Sequence, residues 1–277
     1  MKKTTLICIL MCLCIAGAAN ALSIPANGLV AHYALDGNAN DRLSNNTGIV
    51  NGAALTNDRF GNPNSAYSFD GNGDYIDLGN PDVFDFGTGD FTISIQAYLT
   101  YTDGRGAILG EWMMPAGQPG NWAIQPYPGQ QPVFIIDNPY HSNPNRSMDT
   151  IYGGKNFTLN KWHTYTITRE ANWVSLYVDD VKASLEIDPR ILFEIKDSLH
   201  LGWAGGSMPQ DFQIYGSLDN FLIYDRALSD TEVSQLVFAT SNNPVGSNPI
   251  PEPTTMVLFG FGLLGLAGIG RRKTVNI

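Results

Sequence analysis

Short runs of β-branched and aromatic residues alternate with clusters of Gly, Asn, Asp and Pro along most of this chain of 277 residues. Within residues 91–95, apolar and polar side chains alternate with the two-residue period of a half-buried strand. The Asp-Gly-Asn-Gly cluster at residues 70–73 is typical of a hairpin turn. The pattern therefore predicts an all-β domain of many antiparallel strands. The clearest predicted strands are residues 29–34, 66–69, 75–78, 91–99, 163–169, 174–178, 199–203 and 213–224.

One helix is predicted near the end of the domain. Ser229 and Glu232 have the spacing of a capping box, and Val233 and Leu236 follow at helical spacing. Residues 241–249 are rich in Asn, Pro, Ser and Gly, which predicts an extended polar linker.

The N-terminal residues have the order of a secretory signal peptide. Two lysines precede an apolar run at residues 6–15, and the small residues at 19–21 match an A-x-A cleavage site. The apolar run is shorter than the roughly 20 residues of a membrane-spanning helix. We therefore predict that residues 1–21 are a signal peptide removed by signal peptidase. All three cysteines lie within it, so we expect no disulfide in the mature protein.

A Pro-Glu-Pro triplet, an apolar Gly-rich segment and terminal basic residues follow the linker in that order. The triplet is Pro251, Glu252 and Pro253; the apolar segment, residues 255–270, is a predicted helix; Arg271 and Arg272 follow it. Together these features resemble the PEP-CTERM sorting signal over residues 250–273. The resemblance implies that an exosortase-type membrane protease removes the tail and that the protein reaches the outer surface or extracellular matrix of a Gram-negative bacterium.

A permanent membrane anchor is the alternative for this tail. About 16 residues at a rise of about 1.5 Å span only ~24 Å, which is less than the ~30 Å hydrocarbon core. The length favours a signal that contacts the membrane transiently.

The charge of the chain excludes one class of partner. Between the two targeting segments lie eleven of the 16 Lys and Arg but 25 of the 26 Asp and Glu, a net charge of −14. Because nucleic acid is a polyanion, we do not expect it to bind.

Several sequence blocks of the predicted domain resemble the laminin-G-like members of the concanavalin A-like lectin/glucanase superfamily. The blocks are residues 28–33, 66–71, 90–94, 161–163, 175–180 and 216–229. The resemblance implies that residues 27–240 form a jelly-roll sandwich of two antiparallel sheets.

Members of this family commonly hold a structural calcium ion, and its ligands map here onto Asp41 and Asp219. Asn45, in the polar loop after Asp41, is a further candidate because calcium prefers carboxylate, amide and carbonyl oxygens. The alternative for the loop is ordinary Asx-turn hydrogen bonding.

Residues 111–150 contain the candidate ligand-binding residues Trp112, Trp122, Tyr127 and Tyr140. Aromatic rings stack on sugar rings while nearby polar groups bind the hydroxyls, so the segment favours a glycan or exopolysaccharide as partner. The alternative is that some of the rings, Trp122 in particular, fill the core.

The leading hypothesis is thus a non-catalytic carbohydrate-binding domain, with a structural or adhesive protein-binding module as the alternative. A glycoside hydrolase would need two carboxylates that flank the scissile bond. The nearest approach to such a motif is Glu186 and Asp188, but Pro189 interrupts the strand pattern after them.

Overall fold

The computed structural model describes residues 24–104, 106–112, 121–127, 129, 131–141, 147–205 and 213–242, with the backbone alone for residues 238–242. The signal peptide, the predicted apolar helix 255–270 and the sorting residues lie outside these ranges. No helix within the described ranges has the length and hydrophobicity needed to cross a membrane.

The described residues form fifteen strands, one 3-10 turn and one α-helix. The strands are β1 Leu29–Tyr33, β2 Ile49–Asn51, β3 Ala54–Thr56, β4 Ala66–Asp70, β5 Tyr75–Asp77, β6 Phe91–Tyr101, β7 Leu109–Glu111, β8 Trp122–Tyr127, β9 Gln131–Asp137, β10 Met148–Tyr152, β11 Trp162–Glu170, β12 Trp173–Val178, β13 Val181–Glu186, β14 His200–Leu201 and β15 Tyr215–Tyr224. The 3-10 turn is Asp82–Phe84, and helix α1 is Asp230–Asn242.

The strands form two antiparallel sheets, as the sequence predicted. The eight-stranded sheet has the order β13-β12-β11-β6-β15-β4-β3, and β1 pairs with β15. The seven-stranded sheet has the order β10-β9-β8-β7-β14-β5-β2. The predicted jelly-roll-like sandwich is therefore confirmed.

The inner faces of the two sheets share one hydrophobic core. Ile95, Ile167 and Leu176 of the eight-stranded sheet belong to the same buried cluster as Ile124 and Phe134 of the seven-stranded sheet. Because successive side chains of a strand point to opposite faces, the residues between them form two outer faces that point away from each other.

Helix α1 packs on the outer face of the eight-stranded sheet. The capping box is confirmed: the Ser229 amide donates to Glu232 Oε2 over 2.9 Å, and the Glu232 amide donates to Ser229 Oγ over 3.3 Å. The buried side chains of Val233 and Leu236 contact a cluster that includes Tyr224 of β15. The helix extends two residues into the predicted linker at 241–249.

Three strands, β8, β9 and β10, lie between residues 122 and 152, where no strand was predicted from the sequence. Pro126 of β8 pairs in register with Pro132 of β9. Proline lacks the amide hydrogen of a ladder and argues against a strand when only the sequence is known. Tertiary pairing overrides that signal here.

Candidate functional site

The outer face of the seven-stranded sheet has a floor of small residues. The strand registers place His200, Gly110, Ala123 and Ile135 side by side on this face, across β14, β7, β8 and β9. Gly110 and Ala123 lie at the centre of the row, and both are buried. Ala123 also packs with Ala107 and Ala204. We call these three residues the alanine floor.

Trp112 lies against the alanine floor. Its side chain is half-buried and packs on the alanine cluster, and its backbone amide donates a hydrogen bond to the carbonyl oxygen of Ala204. Trp112 is thus the predicted ligand residue that the structure places on the outer face of the seven-stranded sheet.

Three further rings form a cluster at the β14 and β5 end of the same face. The ring centroids of Tyr75 and Trp203 are 5.0 Å apart, those of His200 and Trp203 4.9 Å, and those of Tyr75 and His200 5.5 Å. The edge-to-face and tilted geometries are those that aromatic pairs prefer. We call this group, with Trp112 and the alanine floor, the aromatic face.

Two polar atoms of the aromatic cluster are buried without a hydrogen-bond partner among the described residues: Nε1 of Trp203 and Nδ1 of His200. Burial lowers the pKa of His200 below its usual range, while Asp77 and Asp197 oppose the shift. His200 is therefore neutral at pH 7 and offers one donor and one acceptor. A buried polar atom without a partner costs free energy.

The Glu111 carboxylate, behind the face, is hydrogen-bonded to the segment that precedes His200. Both oxygens of the Glu111 side chain accept from the Lys196 amide, over 2.8 and 2.9 Å, and Oε1 also accepts from the Asp197 amide over 2.7 Å. Burial raises the pKa of Glu111, although these hydrogen bonds lower it. The contacts fix the segment immediately before β14.

One polar pair borders the face at the β8 and β9 end, and a second, which includes Asp149, lies on the core side of the same sheet. Asn121 Nδ2 donates to Asp137 Oδ2 over 2.8 Å, and Asn138 Nδ2 donates to Asp149 Oδ2 over 2.7 Å. All four side chains are buried. Such amide and carboxylate pairs are the groups that fix the orientation of a bound sugar.

Of the other predicted aromatic residues, the register of β8 puts Tyr127 on the same outer face as Ala123, farther along the strand, whereas Trp122 points to the opposite side. Trp122 is in the core, where its ring centroid is 6.0 Å from that of Phe134; this is the alternative that the sequence left open. Tyr127 ends β8 and is 45% exposed, and Tyr140 packs under Arg190 at 4.2 Å. Among the described residues, no ring contact joins Trp112 to Tyr127 or Tyr140.

The sequence did not identify Tyr75, His200 and Trp203 as site residues. Each lies in or next to a predicted strand, and Tyr75 is more than 120 positions away from the other two. The period-two pattern of residues 199–203 would put Trp203 on the same face as the core residues Leu199 and Leu201, so the pattern did not indicate its contact with His200. The break at Gly202, with φ +83°, turns the chain out of that register.

The calcium candidates serve other contacts. Asp41 Oδ1 accepts from the His32 and Leu43 amides over 2.8 and 3.1 Å, and Oδ2 accepts from the Ser44 hydroxyl over 2.5 Å. Asn45 lies in the same polar loop. These bonds are the turn chemistry that was the alternative in the sequence.

Asp219 is the more unusual of the predicted calcium ligands. It is buried, its Oδ2 accepts from Asn220 Nδ2 over 3.0 Å, and no partner among the described residues reaches its Oδ1. Burial raises its pKa to about 7, while the nearby charge of Arg59 lowers it. Within the described ranges, no group of three or more His, Cys, Asp and Glu side chains could hold a metal. Calcium at Asp41, Asn45 and Asp219 stays a prediction, because amide and carbonyl oxygens can also bind this ion.

The fold agrees with the comparison of the sequence with known families. Residues 70–234 match the model of the concanavalin A-like lectin/glucanases superfamily, which is more than half of the chain. The chain belongs to this superfamily. Residues 249–273 match the PEP-CTERM protein-sorting motif, so the superfamily domain is joined to an export and sorting signal of Gram-negative bacteria.

Solved structures share the superfamily fold at low sequence identity. The binding domain of Paraclostridial Mosquitocidal Protein 1 has a TM-score of 0.61 and 18% identity; the match covers 78% of this chain and 53% of that one. Domain 4 of AbnA, an extracellular arabinanase from Geobacillus stearothermophilus in complex with arabinotriose, has a TM-score of 0.51 and 18% identity, with 76% and 98% covered. Trypanosoma rangeli sialidase in complex with sialic acid has a TM-score of 0.60 and 17% identity, with 81% and 35% covered.

The chain thus matches about half the length of the mosquitocidal protein structure and about a third of the sialidase. The comparison with curated proteins finds no match.

Proposed function

We propose that this protein is an exported, non-catalytic carbohydrate-binding domain that recognises a glycan or exopolysaccharide through the aromatic face. The observation that carries the proposal is the cluster of Tyr75, His200 and Trp203, which together with Trp112 lies on the outer face of the seven-stranded sheet. Rings that stack on a sugar and polar atoms that accept or donate to its hydroxyls are the two parts of a glycan site.

The charge of the domain supports a neutral or weakly charged glycan. The body of the chain has a net charge of −14, which repels strongly acidic polymers. A neutral polysaccharide avoids this repulsion, and its hydroxyls suit the neutral imidazole of His200 and the indole of Trp203.

The carboxylates support a binding role rather than hydrolysis. Glycosidases need two carboxyl groups about 5 to 9.5 Å apart across an accessible bond. Glu186 Oε1 accepts from Asn172 over 2.7 Å, and Asp188 binds Arg190 with both oxygens. Glu111 is buried behind the aromatic face and bonded to two backbone amides.

Affinity gel electrophoresis tests the proposal. The mature domain is run through gels that contain arabinan, xylan, dextran or extracellular polysaccharide from a Gram-negative biofilm. We expect retardation by at least one of them and about tenfold weaker binding for Trp203→Ala or Tyr75→Ala, because each removes one stacking ring. Tyr101→Ala, which removes an exposed ring from the eight-stranded sheet, is the matched control. No retardation on any of these polymers would overturn the proposal.

Retention at the cell surface is the second part of the proposed function. The PEP-CTERM motif supports processing by an exosortase-type protease, with the domain then held at the outer surface or in the matrix.

A further inference from the structure

The outer face of the eight-stranded sheet carries a second set of polar and aromatic side chains. The strand registers place Thr168, Ser175 and Ser184 side by side across β11, β12 and β13. The hydroxyl oxygens of Ser175 and Ser184 are 2.8 Å apart. The side chains between these positions, such as Val174 and Leu176, point into the core. The sheet thus has three hydroxyl groups in a row on its outer face, of which those of Thr168 and Ser175 are buried and that of Ser184 is exposed.

An exposed tryptophan lies two residues before Ser175 on β12, in the neighbouring row of the same outer face. Trp173 is the first residue of β12, pairs with Glu186 and Glu170 in the neighbouring strands, and is 50% exposed. The hairpin before it is fixed, because the Ala171 amide donates to Asp90 Oδ1 over 2.8 Å. A large ring held rigidly at a solvent surface is a platform on which a flat apolar surface can stack.

The start of α1 forms the other wall. The Tyr177 hydroxyl donates to Asp230 Oδ1 over 2.7 Å, and Lys182 Nζ donates to the same oxygen over 3.0 Å. These bonds hold the wall against the sheet, while 72% of the Asp230 side chain stays exposed. The groove between the wall and Trp173 has a volume of about 300 Å³, at the lower end of the size range of small-molecule sites.

The charges of the groove select against an ionic ligand. Glu170 and Asp230 are negative and Lys182 is positive, and the ammonium group of Lys182 is already paired with Asp230. The groove therefore has no free cation for a phosphate or a uronic acid, and it has too few carboxylates for a basic peptide. Hydroxyl groups next to an aromatic platform match a neutral sugar.

We propose that this groove, which we call the α1 groove, binds one or two neutral sugar units of a polysaccharide. A sugar ring stacks on Trp173, and its hydroxyls bond to the exposed Ser184 hydroxyl and the Asp230 carboxylate. The α1 groove and the aromatic face lie on the outer faces of opposite sheets. A domain with both would hold two polysaccharide chains at once and cross-link a matrix, and such bivalent attachment raises the overall affinity well above that of either site.

The experiment uses the mature domain with soluble arabinan, xylan and dextran as probes. Affinity gels report binding by either site, and turbidity of the mixture reports cross-linking, which needs both sites. For Trp173→Ala we expect about tenfold weaker binding to the retarding polymer and loss of turbidity. Trp173→Phe keeps a ring and should restore part of both signals. Tyr101→Ala is again the control, and urea unfolding checks that every variant is folded.

The outcomes separate this proposal from the proposed function. Unchanged retardation and turbidity for Trp173→Ala would overturn the α1 groove and leave the aromatic face intact. In the reverse pattern, Trp173→Ala binds weakly while Tyr75→Ala and Trp203→Ala bind normally. This result would support sugar binding in the α1 groove and overturn sugar binding by the aromatic face. Tyr177→Phe removes the hydroxyl that positions Asp230 and keeps the ring; normal binding by this variant would overturn the role of that wall.

Discussion

Replacing Asp219 with Asn should remove a pH dependence of stability that the wild-type protein has. Asp219 lies in the central strand β15, at an irregularity of its pairing with β6 where Asn220 has a φ of +47°. Bulges of this kind redirect side chains. Here the carboxyl group is buried beside Arg59, and one oxygen has no partner among the described residues.

The magnitude follows from the pKa. Burial raises the pKa of Asp219 from 3.8 to about 7 in the folded protein, a difference that corresponds to about 4 kcal/mol. Because Asp219 binds its proton more tightly in the folded state than in the unfolded state, the protonated carboxyl group contributes its full stabilisation of the fold below pH 4. It is lost as the pH rises to 7, since the unfolded chain then releases a proton that the folded chain keeps.

The assay is urea unfolding of the mature domain in EDTA at half-unit steps from pH 4 to pH 8. Asn is neutral at every pH and has nearly the shape of a protonated Asp. We therefore expect the wild-type free energy of unfolding to fall by up to about 4 kcal/mol relative to Asp219→Asn across this range. Asp225→Asn removes the same charge from an exposed position of the same chain segment and is the matched control.

Parallel curves for the wild type and Asp219→Asn would refute the reasoning. They would mean that Asp219 is ionised at pH 5 in the folded state and that Arg59 compensates fully for its burial. Calcium binding is tested separately, by the change that the ion causes in the urea midpoint. An ion bound to Asp219 would favour the ionised carboxylate. If calcium binds there, adding it at pH 8 raises the wild-type midpoint and leaves that of Asp219→Asn unchanged. Equal responses of the two proteins to calcium would count against Asp219 as a ligand.

Three further predictions concern other parts of the chain. Ser229→Ala should lower the free energy of unfolding by about 1 kcal/mol in urea, because it removes the cap of α1; an unchanged midpoint would contradict the capping role. Trp122→Ala should lower the free energy of unfolding by about 3 to 5 kcal/mol, since the ring fills the core. The folded fraction should bind polysaccharide normally; selective loss of binding would show that Trp122 belongs to the ligand site. Deletion of residues 250–277 should release the protein from the cell surface in fractionation experiments, whereas continued surface retention would show that the tail is not the sorting signal in use.

The fold was largely predictable because its pattern is local. In strands such as β6, β11 and β12, buried and polar residues alternate or pack next to turns with Gly, Asn and Asp, and every one of the eight predicted strands is present. The strands that the sequence did not predict have weak local patterns, for two reasons. Pro126 and Pro132 break the local signal in β8 and β9, while β2 and β3 have only three residues each, mostly exposed. Each is defined by its pairing with another strand, which the local residue pattern does not show.

The candidate site was less predictable because sequence proximity and spatial proximity differ in an antiparallel sandwich. Trp112, Trp122, Tyr127 and Tyr140 lie within 29 residues of one another, but a strand places consecutive residues on opposite faces, so Trp122 enters the core while Trp112 stays on the outside.

Residues from distant strands are brought together instead, because sheet order rather than chain order determines which outward side chains are neighbours. Tyr75 of β5 meets Trp203 after β14 because β5 and β14 are adjacent strands. Trp173 similarly lines the same groove as Asp230 at the start of α1, more than 50 positions later in the sequence. A search for glycan sites in sandwiches of this type should therefore follow rows of outward residues across the sheets rather than aromatic-rich segments of the chain.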